Sequence, residues 1–293
     1  MPPRNRPPAA RRRRPRPVRT AALVAALLAL VPCAGCVQAG GARPAAAAAA
    51  SGTWPRSRLL KADPLGRHPG VSHPARPSPS SARVGALFER DRRGDHFCTA
   101  SVVASPGRSL LITAAHCVHG GSGGDYHQDI VFAPAYRNGQ TPDGIWEPAA
   151  LVVDRRWAAS GDPDLDVAFI VLRPRDGRRI ADVLGANRLA TGRGFVRTAR
   201  VTGYPRSGSD PITCINTTAR HSARQLRIAC TGYSGGTSGS PWITDFDPER
   251  HTGSVIGVIG GYQQGGATDD VSYSPYFGEA VARLYRQAVA KES

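Results

Sequence analysis

The sequence predicts an all-β fold, a sandwich or a barrel, that ends in one helix. From residue 84 onward, short apolar segments are separated by Gly, Pro and Asp turn residues at intervals of roughly 8–15 residues. The two halves of this region, residues 84–182 and 183–276, are each long enough for a small barrel. In residues 277–293 the apolar side chains recur at helical spacing, which predicts an amphipathic helix that packs on the domain.

The individual strands follow from the same pattern, taken in chain order. In the first half they are predicted at Val84–Phe88, Phe97–Val103, Leu110–Thr113, Val131–Phe132, Ala149–Val153 and Val167–Leu172. In the second half they are predicted at Phe195–Tyr204, Ile212–Asn216, Gln225–Cys230, Pro241–Thr244 and Ser254–Gly260.

The N-terminal 39 residues are predicted to be an export signal. A basic stretch, Arg11–Arg19, precedes an uncharged apolar run of 11 residues, Ala21–Val31. That run is too short for a transmembrane helix, which needs about 20 residues. Cleavage after Val37–Ala39 would give a secreted protein. Alternatively, Cys33–Cys36 resembles a bacterial lipobox, and a lipid on Cys36 would anchor the protein to the outer face of the cell membrane.

The basic charge of the chain lies almost entirely in its N-terminal segment. Residues 1–83 contain 15 Lys and Arg and one acid, whereas residues 84–293 contain 23 and 21, so the folded part carries only +2 of the total +16. A nucleic-acid-binding domain needs a basic face of its own, so we expect no nucleic-acid partner. Residues 40–83, rich in Ala, Pro, Ser and Arg, are predicted to be a disordered linker or propeptide.

Removal of the signal leaves four cysteines, Cys98, Cys117, Cys214 and Cys230. An even number in an exported chain indicates disulfides, and four cysteines allow three pairings. Cys98–Cys117 and Cys214–Cys230 are favoured because each closes a short loop. A zinc site at His116, Cys117 and His119 lacks a second ligand pair at tetrahedral-site spacing, so neither a metal nor a cofactor is predicted.

Two motifs supply a candidate nucleophile and its base. Ser238 lies in Gly235–Pro241, where flanking glycines let the backbone turn sharply and present the hydroxyl; His116 lies in Thr113–Cys117, after an apolar strand. A serine hydroxyl attacks at neutral pH only if a base takes its proton and a third group orients that base. Asp166, 50 residues after His116 and 72 before Ser238, is predicted to be that third group.

Two of these assignments have local competitors. Asp162 and Asp164 lie close to Asp166, but Asp166 directly precedes an apolar strand and so is placed at its rim; Asp164 stays as the alternative. His119 is the nearest rival to His116. It follows Cys117 and leads into a Gly-rich loop, so we expect it to be solvated.

Together, Thr113–Cys117, Asp166–Ala168 and Gly236–Pro241 resemble the trypsin/chymotrypsin-like serine peptidases. The Gly-Ser-Pro ending and the opening Val84–Phe88 are most similar to the secreted bacterial, glutamyl-endopeptidase-like branch. Over residues 84–285, the resemblance implies two six-stranded antiparallel β-barrels with the site in the cleft between them. It also implies an acyl-enzyme route on protein or peptide substrates and an oxyanion hole made by the backbone amides of Gly236 and Ser238. We expect a monomer that contacts a membrane only if Cys36 is lipidated.

The chain departs from the family pattern at two places. Thr237 stands where many animal members carry the Asp that pairs with a freed N-terminal amine, so maturation is expected to differ, with cleavage of the linker near Arg83. Gly232 stands where trypsin-type members carry an acid, and the strand after the serine lacks the histidine of glutamate-specific relatives. A substrate pocket lined by Gly232 and Ile259–Gly261 (Ile259, Gly260 and Gly261) predicts a preference for an apolar or small side chain.

The same residues bear on two other classes of protein. A catalytically inactive binding protein on the same fold is possible because a fold does not dictate function, although all three triad candidates are present. An α/β-hydrolase esterase would need Gly-x-Ser-x-Gly and the order Ser, Asp, His. In this chain Ser240 stands where that motif has its final glycine, and the candidate residues come in the order His, Asp, Ser.

Overall fold

A computed structural model describes residues 69–90 and 96–292. The expected signal and most of the expected linker therefore lie outside the described residues. The strands, in chain order, are β1 (His73–Pro74), β2 (Val84–Glu89), β3 (His96–Val103), β4 (Leu110–Thr113), β5 (Ile130–Pro134), β6 (Pro148–Val153), β7 (Ala168–Leu172), β8 (Arg188–Leu189), β9 (Thr198–Gly203), β10 (Ile212–Thr217), β11 (Ala219–Arg220), β12 (Gln225–Ala229), β13 (Pro241–Asp247), β14 (Thr252–Val258) and β15 (Val271–Pro275). The α-helices are α1 (Pro79–Ala82), α2 (Arg155–Ser160), α3 (Ile180–Leu184) and α4 (Glu279–Val289).

The first half of the domain is a six-stranded sheet in the order β5-β2-β3-β4-β7-β6, with every pairing antiparallel. An isolated antiparallel bridge between Phe132 and Trp146 brings the β5 edge against the segment that leads into β6. All residues of β3, β4 and β7 are buried, as expected for strands that are covered on both faces. This half agrees with the antiparallel barrel that the sequence predicts.

The second half is less regular than the single six-stranded antiparallel barrel that was expected. One sheet has the order β1-β10-β9-β13-β14-β8, and a separate three-stranded sheet has the order β11-β12-β15. The short β8, which lies just after the boundary between the two halves, pairs parallel to β14. The Cys214–Cys230 disulfide links β10 to the end of β12 and so ties the two sheets together. The whole remains an all-β, chymotrypsin-like fold.

The C-terminal helix α4 packs where the two halves meet. Its buried residues Val281, Leu284 and Ala288 join one apolar cluster with residues of β4 and β7 from the first half and of β13 and β14 from the second. Just beyond α4, the carboxylate of Glu292 accepts hydrogen bonds from the hydroxyl of Ser105 and from the amides of two further residues of the β3–β4 turn. No helix in the described ranges is long and apolar enough to cross a membrane.

Residues 69–83 do not form the disordered linker that composition predicted. β1 pairs with β10, and the amide of Gly70 donates to the carbonyl of Ile215 at 3.1 Å. The segment has few apolar side chains to bury, and these hydrogen bonds to the sheet hold it in place instead. α1 is closed by a capping box between Ser78 and Ser81.

Arg83 is buried, and its guanidinium donates to the carbonyl oxygens of Leu184 and His251. The neighbouring backbone is held as well, since the carbonyl of Arg83 accepts from the amide of Val102 at 2.9 Å. A peptidase cannot reach this bond without unfolding the surrounding structure. The burial of Arg83 therefore argues against a maturation cleavage at this residue once the chain has folded, and removal of residues 40–83 stays a prediction.

Candidate active site

Ser238 lies in the loop between β12 and β13, and the loop is held between the two halves of the domain. The carbonyl of Ser238 accepts from the amide of Thr99 at 2.7 Å, while the next amide, that of Gly239, donates to the carbonyl of Ile259 at 2.7 Å. Thr99 is fully buried in β3, and its hydroxyl donates to the carbonyl of Gly236 at 3.0 Å. A strand of the first half thus shapes the serine loop of the second.

Gly236 and Gly239 are required by this conformation. Both have positive φ, +99° and +83°, a region that side chains with a Cβ seldom adopt. A Cβ on Gly239 would overlap the carbonyl oxygen of Thr99 and the hydroxyl of Thr113, and one on Gly236 would lie 2.7 Å from the carbonyl oxygen of Tyr204. These contacts explain why glycines flank the serine.

His116 lies in a 3₁₀ turn, Ala115–Cys117, directly after β4. The disulfide between Cys98 and Cys117 fastens this turn to β3. The imidazole is 15% exposed and reaches the cleft. The strand and the disulfide therefore fix the backbone from which the ring projects.

Asp166 is completely buried and holds His116 through both of its carboxylate oxygens. Oδ2 lies 2.8 Å from Nδ1 of the ring, and Oδ1 accepts from the main-chain amide of His116 at 2.9 Å. Oδ2 also accepts from the amide of Gly261 at 2.8 Å. An ionised carboxylate only accepts hydrogen bonds, so Nδ1 carries the ring hydrogen and Nε2 is the ring acceptor when the imidazole is neutral.

The contact between Asp166 and His116 shifts the pKa of both side chains. Burial by itself would raise the pKa of Asp166, but the positive charge of His116 and the hydrogen bonds from His116 and Gly261 outweigh it and lower that pKa. Burial would likewise lower the pKa of His116, but the charge and hydrogen bond of Asp166 raise it above its ordinary value. The pair is therefore built to stabilise a positively charged imidazole.

The competing residues make other contacts. Asp164 accepts from the side-chain amide of Gln225 at 2.8 Å, and Asp162 accepts from the amide of Asp164 at 2.9 Å. His119 is buried rather than solvated, because the Gly-rich loop folds over it: Nδ1 accepts from the amide of Gly121 at 3.0 Å. The expectation that His119 faces solvent was wrong.

The backbone around Ser238 leaves two amides without partners. The amides of Thr237 and Gly239 donate to main-chain carbonyls, whereas within the described residues those of Gly236 and Ser238 donate to no protein group. Thr237 is buried, and its hydroxyl donates to the carbonyl of Ser234 at 2.7 Å. A local hydrogen bond thus braces the loop at the position where many animal members of the family have an Asp.

Ser238 and His116 line one cleft of about 690 Å³ between the two halves. The first half contributes, besides His116, the lining residues Phe97, Cys98, Gly120, Gly121, Ser122, Trp157 and Gly161. The second half contributes Arg206, Tyr233, Ser234, Gly235, Gly236, Thr237, Ser238, Ile259, Gln263, Gln264, Gly265, Gly266, Ala267, Thr268 and Asp269.

Of the four expected pocket residues, Ile259 is the one that lines this cleft in the described chain. Gly260 and Gly261 lie instead against Asp166 and Gln225, where a Cβ would have no room. Gly232 is exposed beside Ser72. No acid was expected near the pocket, yet Asp269 lines the cleft.

The sulfurs of Cys98 and Cys117 lie with a nitrogen of His116 in a group whose potential ligand atoms are all within 4.8 Å of one another. Both sulfurs are bonded to each other in the disulfide. A thiolate is the form of cysteine that binds metals, so this group does not supply a metal-ligand set.

Known proteins match both the sequence and the fold of this chain. A model of the trypsin-like peptidase domain matches residues 98–258, a segment that contains His116, Asp166 and Ser238. The chain belongs to the trypsin-like peptidase family. The fold of a trypsin-like peptidase implies that its substrates are proteins or peptides. No curated protein sequence matches the chain.

Solved serine proteases resemble this trypsin-like peptidase over nearly their whole length. The thermostable serine protease AL20 from an extremophilic microorganism is 30% identical with a TM-score of 0.65, over 73% of this chain and 99% of AL20. Protease Anisep from Arthrobacter nicotinovorans is 27% identical with a TM-score of 0.65, over 75% of this chain and 99% of Anisep. A Glu endopeptidase shares the fold at 15% identity and a TM-score of 0.61, over 76% of this chain and 98% of that one.

Proposed function

We propose that the protein is an exported serine endopeptidase that cleaves peptide bonds through Ser238, His116 and Asp166. The observation that carries this proposal is the 2.8 Å contact between Nδ1 of His116 and Oδ2 of a fully buried Asp166, behind a ring that shares its cleft with Ser238. A carboxylate in this position fixes the ring tautomer that can accept a proton at Nε2.

In the first half of the reaction, Nε2 of His116 takes the proton of the Ser238 hydroxyl as Oγ attacks the carbonyl carbon of the scissile peptide. The carbonyl oxygen becomes an oxyanion, and the unpartnered amides of Gly236 and Ser238 donate hydrogen bonds to it. Asp166 stabilises the imidazolium, consistent with the raised pKa of His116. The imidazolium then protonates the leaving amine, the C–N bond breaks and an acyl-enzyme remains.

In the second half, water replaces the amine. His116 takes a proton from the water as its oxygen attacks the acyl carbon, and then returns a proton to Oγ of Ser238. The ester bond breaks and the carboxylic acid product leaves. Each step uses the same ring nitrogen, so the orientation imposed by Asp166 serves acylation and deacylation alike.

The decisive experiment is labelling with a fluorophosphonate probe, which phosphonylates an activated serine. The wild-type protein is expected to react, and Ser238→Ala is expected to lose both labelling and peptide hydrolysis. Ser222→Ala, which removes an exposed serine outside the cleft, is the matched control and should behave as wild type. A correctly folded wild-type protein that neither reacts with the probe nor hydrolyses peptides would be a binding protein on this fold instead.

Export is part of the proposal and is supported by the two disulfides, which persist in oxidising compartments. The proposed signal, residues 1–39, would be removed to give a secreted protein, or Cys36 would carry a lipid. The mass of the mature protein distinguishes the two, because a lipidated product starts at Cys36 and carries added acyl chains. A mature protein that keeps its first 39 residues in the cytoplasm would contradict export.

A further inference from the structure

Gln225, the first residue of β12, is a buried polar side chain to which the proposed reaction assigns no role. The residues that share its side of the strand, Arg227 and Ala229, are exposed, whereas Gln225 is only 4% exposed. A buried amide side chain needs hydrogen-bond partners for its N–H groups and for its oxygen. Gln225 finds these partners in two segments that also hold Asp166.

The nitrogen end of the Gln225 side chain holds the turn that precedes Asp166. Nε2 donates to the carbonyl of Pro163 at 3.0 Å and to Oδ1 of Asp164 at 2.8 Å. The same carbonyl of Pro163 also accepts from the main-chain amide of Asp166 at 3.4 Å. Gln225 is therefore fastened to the turn that leads directly into the orienting carboxylate.

The oxygen end of the same side chain holds the segment that reaches Asp166 from the second half. Oε1 of Gln225 accepts from the main-chain amide of Tyr262 at 3.3 Å. The preceding residue, Gly261, donates its amide to Oδ2 of Asp166 at 2.8 Å, and it lies so close to Gln225 that a Cβ on it would overlap Oε1. One side-chain amide thus sets the distance between the two pieces of backbone that fix the carboxylate.

The orientation of the Gln225 amide follows from the chemistry of its partners. The carbonyl of Pro163 and the carboxylate of Asp164 only accept hydrogen bonds, whereas the main-chain amide of Tyr262 only donates. With the two ends exchanged, oxygen would face oxygen at two contacts and N–H would face N–H at the third. The side chain therefore joins the two segments with a fixed length and a fixed polarity.

We propose, on the basis of the peptidase function above, that Gln225 is a positioning residue that acts through Asp166. Its side chain keeps the turn before Asp166 and the amide of Gly261 at the separation at which Oδ2 accepts from Gly261 and from the ring of His116. In the described chain Gln225 does not line the cleft, so it contacts neither substrate nor Ser238. When the carboxylate is held loosely, fewer molecules present the ring in the orientation that accepts the serine proton.

The first test replaces Gln225 by a residue of similar length that lacks the amide. Gln225→Met should lower kcat for a fluorogenic peptide about tenfold, as expected when about one well-formed hydrogen bond is lost from the transition state. KM should change less than kcat, because the side chain does not reach the cleft. Arg227→Met, the same replacement at an exposed residue of the same strand, is the matched control and should keep the wild-type kcat. An unchanged kcat in Gln225→Met, or a loss that appears in KM alone, would overturn the proposal.

A double-mutant cycle separates positioning from a general loss of structure. In the Asp166→Asn background no carboxylate orients the ring, so Gln225→Met should lower kcat by much less than tenfold. A residue that only supports the fold would lower kcat by the same factor in both backgrounds, and that result would contradict a role through Asp166. Urea unfolding of each variant shows that the protein assayed is folded.

A polarity swap covers the case in which Gln225→Met does not fold. Gln225→Glu brings two carboxylates face to face at the contact with Asp164 and should lower kcat. The addition of Asp164→Asn restores a donor at this contact and returns the total charge to that of the wild type. The double variant should recover part of the kcat that Gln225→Glu loses, and no recovery would count against the proposal.

An NMR measurement keeps this result separate from the peptidase reaction. The hydrogen on Nδ1 of His116 lies in the contact with Asp166, so its chemical shift and its exchange with water report how firmly the carboxylate holds the ring. In Gln225→Met this hydrogen should move upfield and exchange faster, and in Arg227→Met it should match the wild type. This Gln225-dependent change in a wild-type protein that does not hydrolyse peptides would count against the proposed function alone. Hydrolysis with an unchanged kcat and an unchanged signal in Gln225→Met would count against the role of Gln225 alone.

Discussion

Asp166 holds His116 at two points at once, with Oδ1 on the main-chain amide at 2.9 Å and Oδ2 on the ring Nδ1 at 2.8 Å. The carboxylate therefore sets both the position of the residue and the orientation of its ring. The amide of Gly261, from the other half of the domain, donates to the same Oδ2 at 2.8 Å. The orienting group of the site is thus itself fixed by both halves.

Asp166→Asn should keep the fold but lower kcat by roughly four orders of magnitude, the loss seen for the equivalent change in chymotrypsin-type enzymes. The Asn side chain can donate to Nδ1, and the ring then adopts the wrong tautomer. Steady-state hydrolysis of a peptide substrate measures the effect. Asp164→Asn is the matched control, because Asp164 bonds to Gln225 and not to the ring, and it should retain most activity. Equal losses in both variants would contradict the assignment.

The activity should depend on pH through His116. Its pKa is raised above 6.5 by Asp166, and only the neutral ring accepts the serine proton, so kcat/KM should rise with pH through that raised pKa and be lost in acid. NMR titration of the ring should give a midpoint that moves to lower pH in Asp166→Asn. An unchanged midpoint would show that Asp166 does not set this pKa.

The same pair should make stability depend on pH. The raised pKa of His116 stabilises the fold fully below the unfolded value of about 6.5, and this contribution is lost as the pH rises through the folded pKa. The lowered pKa of Asp166 stabilises the fold above the unfolded value of about 3.9, and this contribution is lost as the pH falls through the folded pKa. Urea unfolding at a series of pH values measures both windows, and Asp166→Asn should flatten them.

Gly239→Ala should lower the free energy of unfolding by about 1–3 kcal/mol and disturb the serine loop, because the new Cβ is strained at positive φ and overlaps the backbone of Thr99. Gly208→Ala is the control. A Cβ there meets no heavy atom within 4 Å, so the change should stay within about 0.5 kcal/mol. Similar urea midpoints for the two variants would mean that the loop has more room than the structure indicates.

Arg83→Met should lower the free energy of unfolding by about 1–3 kcal/mol, since the hydrogen bonds from the buried Arg83 guanidinium to the carbonyls of Leu184 and His251 are lost. Arg76→Met, at an exposed arginine of the same segment, should change it little. N-terminal sequencing of the mature protein should likewise find a start before Gly70, because residues from Gly70 onward are bonded to β10 and to the segment after β12. An active protein that begins at Val84 would contradict this.

The strands of the core could be predicted from the sequence. In each of them, apolar residues either alternate with polar ones or form a continuous run, and turn residues mark both ends. The expected Leu110–Thr113 is β4 as observed, and α4 lies within the expected residues 277–293. The short β1 and β8 could not be predicted in this way. Two residues carry no periodic signal, and both strands exist because a longer strand offers an edge to pair with.

For the site, residues next to regular elements could be predicted and residues from irregular loops could not. His116 follows β4 and Asp166 precedes β7, so their placement follows from the strands. The amide of Gly261 donates to Asp166 although the two residues are 95 positions apart in the chain, and no local sequence pattern predicts this contact. Asp269 was missed for the same reason, since it belongs to a loop that is defined by its contact with Tyr233.

The contacts of Thr99 bear on when, during folding, the serine loop can take its final conformation. This one buried side chain and its amide hold the carbonyls of Gly236 and Ser238, although more than a hundred residues separate them along the chain. The loop that carries the hydroxyl has no template until β3 is in place and the second half has closed on it. An incompletely folded chain therefore lacks the loop geometry on which the proposed peptidase activity depends, so we expect it to be inactive until the two halves have come together.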